Sequence, residues 1–105
     1  MARTRREESY IPELREYARS RRFTVTEYHT MIKHAVLTTE DKVELIDGYV
    51  LYKLDYVTLP PASPRFPRWQ QLRRWTQTEF DRLTELGIIT TEDGVELIDG
   101  NLVFR

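Results

Sequence analysis

The sequence predicts an α+β fold: two tandem αββ repeats forming a pseudo-twofold, four-stranded antiparallel sheet with helices on one face. Three observations point there. Residues 21–53 align on residues 73–105 at a constant offset of 52 without a gap, and 15 of the 33 aligned positions are identical. Each copy carries a T-x-x-E string, Thr24 to Glu27 and Thr76 to Glu79. Each also carries Val-Glu-Leu-Ile-Asp-Gly, at 43–48 and 95–100. Self-similarity at a fixed period marks duplication of one supersecondary unit. A chain of 105 residues suits one small domain with a single modest core. It divides into repeat 1 over 1–53, a connector over 54–66 and repeat 2 over 67–105.

The elements follow in chain order. Residues 12–17 and 67–72 are lead-ins that read as short helices, each opening on a proline, which the first helical position tolerates. The T-x-x-E strings are capping boxes, in which the Thr hydroxyl accepts from the N3 amide and the Glu reaches back to the cap amide. Phe23 and Trp75 precede the caps, and Tyr28 and Phe80 follow the glutamates, which completes a hydrophobic staple in each copy. Helices are therefore expected at 24–35 and 76–86. Their inward faces should hold Tyr28, Met31, Ile32 and Ala35, and Phe80, Leu83 and Leu86, with Gly87 ending the second helix. Thr-Thr-Glu-Asp then reads as a loop before a strand. Asp-Gly between apolar runs signals a type I′ hairpin, whose register opposes Ile46 to Tyr49 and Val43 to Tyr52. One hairpin face then collects Val43, Leu45, Val50 and Tyr52, and Val95, Leu97, Leu102 and Phe104. The opposite face, with Glu44, Ile46 and Leu51, or Glu96, Ile98 and Val103, is too apolar for solvent alone and needs a cover from the other repeat or a second chain. Between the units, four prolines in the nine residues of 59–67 exclude a regular element and suggest a stiff, extended connector.

Charge is segregated although the net value is −1. Residues 1–22 hold seven Arg against four Glu, and 54–74 hold four Arg against one Asp; the segments after each are acidic, most strongly 75–105 with seven acids against two Arg. Either each basic block neutralises the acidic block that follows, or the arginines form a nucleic-acid surface. Arg15, Arg19, Arg21, Arg22, Arg68, Trp69, Arg73 and Arg74 are the candidate nucleic-acid or partner contacts, with Trp69 and Trp75 placed to stack on bases. No apolar run reaches the roughly 18 residues of a membrane span, so no membrane partner is expected. The N-terminus lacks an apolar leader and the chain has no Cys, which makes the cytoplasm the expected location.

Catalytic patterns are scarce. His29 and His34 are five residues apart on a predicted helix and neither recurs in the second copy, so they make a poor metal pair. There is no Gly-rich phosphate loop, no nucleophile elbow and no His-based triad. No catalytic residue, metal or cofactor is assigned. Glu44 and Glu96 are the repeated acids left without a structural duty.

The segments FTVTEYHTMIKHAVLTTEDKVELIDGYV and WTQTEFDRLTELGIITTEDGVELIDGNLV resemble the N-terminal segment of the Uma2 family, restriction-endonuclease-like proteins that open with a T-x-x-E-Y helix, an acidic loop and a V-E-L-I-D-G hairpin. The resemblance covers about 30 residues of each unit. In that family a PD-(D/E)xK core follows the hairpin. Here the first hairpin runs into LYKLDYVTLPPASPRFP, the second ends at Arg105, and no Pro-Asp dipeptide occurs anywhere. The resemblance thus implies a duplicated accessory module and carries over no catalytic residue. The expected function is non-catalytic protein binding or assembly, with a homo-oligomer or a Uma2-like nuclease as partner. The alternatives are nucleic-acid binding through the Arg-rich lead-ins, and a metal-dependent nuclease completed by oligomerisation.

Overall fold

The computed structural model describes residues 17–56 and 58–105, and shows a small α+β fold of two helices and two two-stranded antiparallel sheets. In chain order the elements are α1 (Val25–Lys33), β1 (Val43–Ile46), β2 (Tyr49–Tyr52), α2 (Gln77–Glu85), β3 (Val95–Ile98) and β4 (Asn101–Phe104). Arg15 and most of the first lead-in lie outside the described residues.

Both helices start where their capping boxes place them. The Thr24 hydroxyl accepts from the Glu27 amide at 3.0 Å while the Glu27 carboxylate accepts from the Thr24 amide at 3.0 Å. Thr76 and Glu79 repeat the exchange at 3.1 and 3.0 Å. The helices are shorter than expected at their C-termini. Gly87 ends α2 in the left-handed region at φ 76, as anticipated, and its counterpart Ala35 does the same for α1 at φ 62. Ala35 is therefore an exposed terminator rather than an inward-facing residue, and Ile32 is 48% exposed instead of buried. The fully buried residues of the two helices are Met31 and Leu83.

The Thr-Thr-Glu-Asp segments form 3-10 turns, Thr39–Asp41 and Thr91–Asp93, each closed by its own Asp, whose carboxylate accepts from the Thr38 amide at 2.6 Å or the Thr90 amide at 2.9 Å. Each turn ends on a left-handed residue, Lys42 at φ 53 and Gly94 at φ 67. The hairpins have the expected register, Val43↔Tyr52 to Ile46↔Tyr49 and Val95↔Phe104 to Ile98↔Asn101. Their Asp-Gly turns have positive φ at both residues, 53 and 88 in the first and 54 and 85 in the second, as a type I′ turn requires.

The lead-ins connect the two units. The second, expected to be helical, forms turns instead, with the Trp69 amide donating to the Phe66 carbonyl and the Leu72 amide to the Trp69 carbonyl. It then runs along β2: the Tyr52 amide donates to the Gln71 carbonyl at 2.8 Å, and the Arg73 amide to the Val50 carbonyl at 2.9 Å. Fifty-two residues away the Phe104 amide donates to the Arg19 carbonyl at 2.8 Å, and the Arg21 amide to the Leu102 carbonyl at 2.9 Å. Each hairpin is thus flanked by the other unit's lead-in, through single bridges Leu51↔Leu72 and Ser20↔Val103.

Two buried clusters result. One joins both helices to one face of both hairpins and contains Phe23, Met31, Leu37, Val50, Trp75, Leu83, Ile89 and Leu102. Phe23 and Trp75, one staple residue from each copy, meet there at 5.7 Å between ring centroids. The second cluster covers the other hairpin face: Tyr17, Trp69 and Leu72 pack with Tyr49, Leu51 and Val103. The cover demanded by that half-apolar face comes from the chain's own lead-ins, so it gives no reason to invoke a second chain. The connector has no regular element over 58–63 but is tied down, with the buried Ser63 hydroxyl donating to Asp99 at 2.6 Å.

Candidate functional surfaces

Of the charged residues identical in the two copies, Arg21, Glu27 and Asp41 with Arg73, Glu79 and Asp93 form two internal ion clusters. Arg73, only 7% exposed, donates to Asp41 at 2.6 Å, to both Glu79 oxygens at 2.8 and 2.9 Å and to the Arg74 carbonyl at 2.8 Å. Its guanidinium also lies 4.6 Å from the Trp75 ring centroid, a cation–π placement. Arg21 repeats the pattern on Phe23 at 5.0 Å. It bonds Glu27 at 3.0 Å, the Arg22 carbonyl and the Ile88 carbonyl, and approaches Asp93 at 3.6 Å. Each arginine therefore sits on its own unit's staple aromatic, closes its own unit's capping box, and reaches the 3-10 turn of the other unit. Burial pushes the Glu79 carboxyl up, but the hydrogen-bonded Arg73, the Thr76 amide and the Arg73 charge outweigh it and hold Glu79 below the ordinary 4.5. Glu27 is lowered in the same way by Arg21 and the Thr24 amide against its own burial.

The remaining candidate contacts are dispersed. Arg22 is exposed, bonded to Asp47 at 2.7 Å and placed over Tyr49. Half-buried Arg74 donates to the Pro61 carbonyl at 2.8 Å and the Asp99 carbonyl at 3.4 Å. Trp69 and Trp75 are 5% and 6% exposed, so neither offers a ring face for base stacking in this conformation. Arg19 and Arg68 do converge: with Arg65, Phe66 and Trp69 they line a groove of about 480 Å³. Four of the sequence-predicted contacts, Arg21, Arg22, Arg73 and Arg74, serve internal links, and two share this groove with Trp69 at its base.

Glu44 and Glu96 make no hydrogen bond or ion pair among the described residues, and both are half-buried opposite Leu51 and Val103. They lie in separate hairpins, and among the described residues no group of three His, Cys, Asp or Glu could hold a metal ion. Among the described residues, too, no helix is long and apolar enough to cross a membrane.

Two further clefts escaped the sequence reading. Each lies between a helix, its 3-10 turn and its hairpin. The first, about 460 Å³, is lined by Tyr28, Ile32, Leu37, Thr38, Thr39, Lys42, Val43, Lys53 and Tyr56. The second, about 480 Å³, holds the counterparts of most of these, Phe80, Thr84, Ile89, Thr90, Thr91, Val95 and Arg105, together with Gln77, Glu96 and Leu97. The equivalence ends at their surfaces. In the first cleft Ile32 is 48% and Tyr56 is 67% exposed, and in the second Thr84 stands in place of Ile32. Among the described residues, Val25, Ile32, Leu54, Tyr56 and Phe104 are exposed large hydrophobics, and Val25 and Ile32 have polar counterparts, Gln77 and Thr84. Lys42 and Lys53 enter no ion pair among the described residues, and no acid lines their cleft. Burial, and then the charges of the Glu44 and Asp41 carboxylates, push the Tyr28 phenol above its ordinary 10.0, which keeps it a neutral donor, directed at the Val43 carbonyl at 3.5 Å. The signal for this cleft was present as positions where the copies differ, at Ile32/Thr84 and Lys42/Gly94.

Compared with protein-family models, curated proteins and solved structures, the chain matches none.

Proposed function

We propose that this chain is a non-catalytic protein-binding module. Two αββ units, related by a pseudo-twofold axis, brace each other into one scaffold, and the helix side of the first unit presents the binding face. One observation carries the reading: equivalent clefts have diverged, so that the exposed Ile32 and Lys42 of one copy stand where the other has Thr84 and Gly94. The duplicated fold does not need them there, because the second copy does without. Reciprocal hydrogen bonding between lead-ins and hairpins supports the pseudo-twofold pairing. It also supports a sheet continued through the lead-ins, in place of four hairpin strands joined directly. The likeness of each unit to the opening segment of Uma2 proteins, a likeness of motifs, favours an accessory unit over a catalytic one.

Site-specific photocrosslinking in the source cells tests the reading. A benzoylphenylalanine at position 32 should give a discrete protein adduct, and the same residue at position 84 should give none. The adduct mass separates a second copy from another protein. Equal yields at both positions, or none at either, would count against a dedicated face.

The groove of Arg19, Arg65 and Arg68 favours a second reading, nucleic-acid binding along its phosphate-attracting rim. Binding to a single strand and a duplex at about 50 mM salt, falling steeply as salt rises, would support it. No binding at low salt removes it.

A further inference from the structure

We infer that the first cleft docks an acidic peptide segment with an aliphatic or aromatic anchor, supplied by a different protein. The inference rests on the proposed binding face and goes further by naming what the face recognises. The chemistry of the lining selects the partner. Tyr28, Ile32, Leu37 and Tyr56 offer a partly exposed apolar floor, and Lys42 and Lys53 stand at its edge. Glu44 and Asp41 act on the Tyr28 phenol without lining the cleft, and Asp41 is held by Arg73. Two lysines line the cleft and no carboxylate does. An apolar anchor satisfies the floor, and flanking carboxylates satisfy the lysines; a basic or uncharged segment leaves both ammonium groups facing nothing.

The backbone adds an independent argument. Lys42 is held at φ 53, where its counterpart is Gly94 at φ 67. A left-handed non-glycine residue carries a conformational cost that glycine avoids. Such strain alone does not mark function, since Ala35 at φ 62 shares it. Lys42 differs from Ala35 because its side chain lines the cleft. The first unit thus keeps a cation at a position where its own duplicate shows that glycine fits.

The second unit also supplies the control. Ile32→Thr and Lys42→Gly convert two features of the first cleft to those of the second without asking the fold for anything it does not already contain. Purified full chain is used to pan a random 12-residue peptide library, and selected peptides are measured by fluorescence anisotropy on wild type and on the double variant. Selected peptides should be enriched in Asp and Glu around a Leu, Ile, Phe or Trp. Their affinity should fall at least about ten-fold on the double variant, the loss expected when about one good contact is removed. It should also weaken with salt. Peptides without acidic enrichment, or with equal affinity for both proteins, overturn the inference. So does light scattering that shows a wild-type dimer and a monomeric double variant, because the face then belongs to a second copy. A photo-adduct at position 32 that persists when the peptide result fails leaves the binding face intact and discards only the acidic partner.

Discussion

Replacing Arg73 with methionine should be among the most damaging substitutions in the chain. The side chain is 7% exposed and holds Asp41 at 2.6 Å and Glu79 at 2.8 Å, carboxylates whose own side chains are 20% and 24% exposed. Methionine fills most of the space but leaves two partly buried negative charges facing each other. Removing one partner of a buried ion pair costs about 3–5 kcal/mol, and the lost cation–π contact with Trp75 adds about 1 kcal/mol. Because both acids retain some water, a net loss of about 3 kcal/mol is expected. For a domain of this size that lowers the midpoint of thermal unfolding by about 12 °C. Arg22→Met removes an ion pair whose partners are 56% and 60% exposed, and should cost less than about 1 kcal/mol. Urea unfolding of both variants, followed by circular dichroism, gives the comparison. The pH dependence adds a second arm. Glu79 is depressed in the folded state, so its contribution is complete above the unfolded value near 4.5 and is lost as pH falls through the folded value. In Arg73→Met that depression is gone, so the gap to wild type should narrow on acidification below about pH 4.5. A loss no larger than that of Arg22→Met, or a gap that widens in acid, would refute the reasoning.

Three further outcomes are expected. Lys42→Gly should stabilise the chain by about 0.5–1 kcal/mol by relieving the left-handed strain, and Gly94→Lys should cost a similar amount, since a Cβ at Gly94 meets nothing within 4 Å; paired thermal melts read both. Gly48→Ala should cost about 2–3 kcal/mol in chemical denaturation, because φ is 88 and the added Cβ would meet Arg22 Cβ at 3.0 Å and the Phe23 carbonyl at 3.3 Å. Asn101, 2% exposed with neither side-chain polar atom partnered among the described residues, should gain about 1–2 kcal/mol in urea unfolding on replacement by leucine, which has the same branched skeleton without the polar atoms.

The elements were legible where local chemistry decides them. The capping boxes and Asp-Gly turns set the helix starts and the hairpin register, because each depends on residues at most a few positions apart. Features made by contacts across the units were harder to read. The turns of the second lead-in are fixed by β2 and the connector, and a proline at an apparent helix start does not reveal that. Ile32 has helical spacing for the core, but the helix presents it beside the cleft instead. The repeat held a clue in its identities: Arg21, Glu27 and Asp41, with Arg73, Glu79 and Asp93, are the charged residues of the two clusters. Identity alone did not single them out, since Glu44 and Glu96 are identical too and stay unpartnered among the described residues. The differences between the copies marked the candidate binding face, where the fold places no demand on the second unit.

The reciprocal bracing of the two units is tested most directly by cutting the connector. Residues 1–56 and 57–105, produced as separate chains and examined alone and mixed by circular dichroism and calorimetry, should each fail to fold as a monomer. Mixed in equal amounts they should form a one-to-one complex with the intact chain's spectrum and a cooperative melt. Either half folding alone as a stable monomer, with no change on mixing, would contradict it.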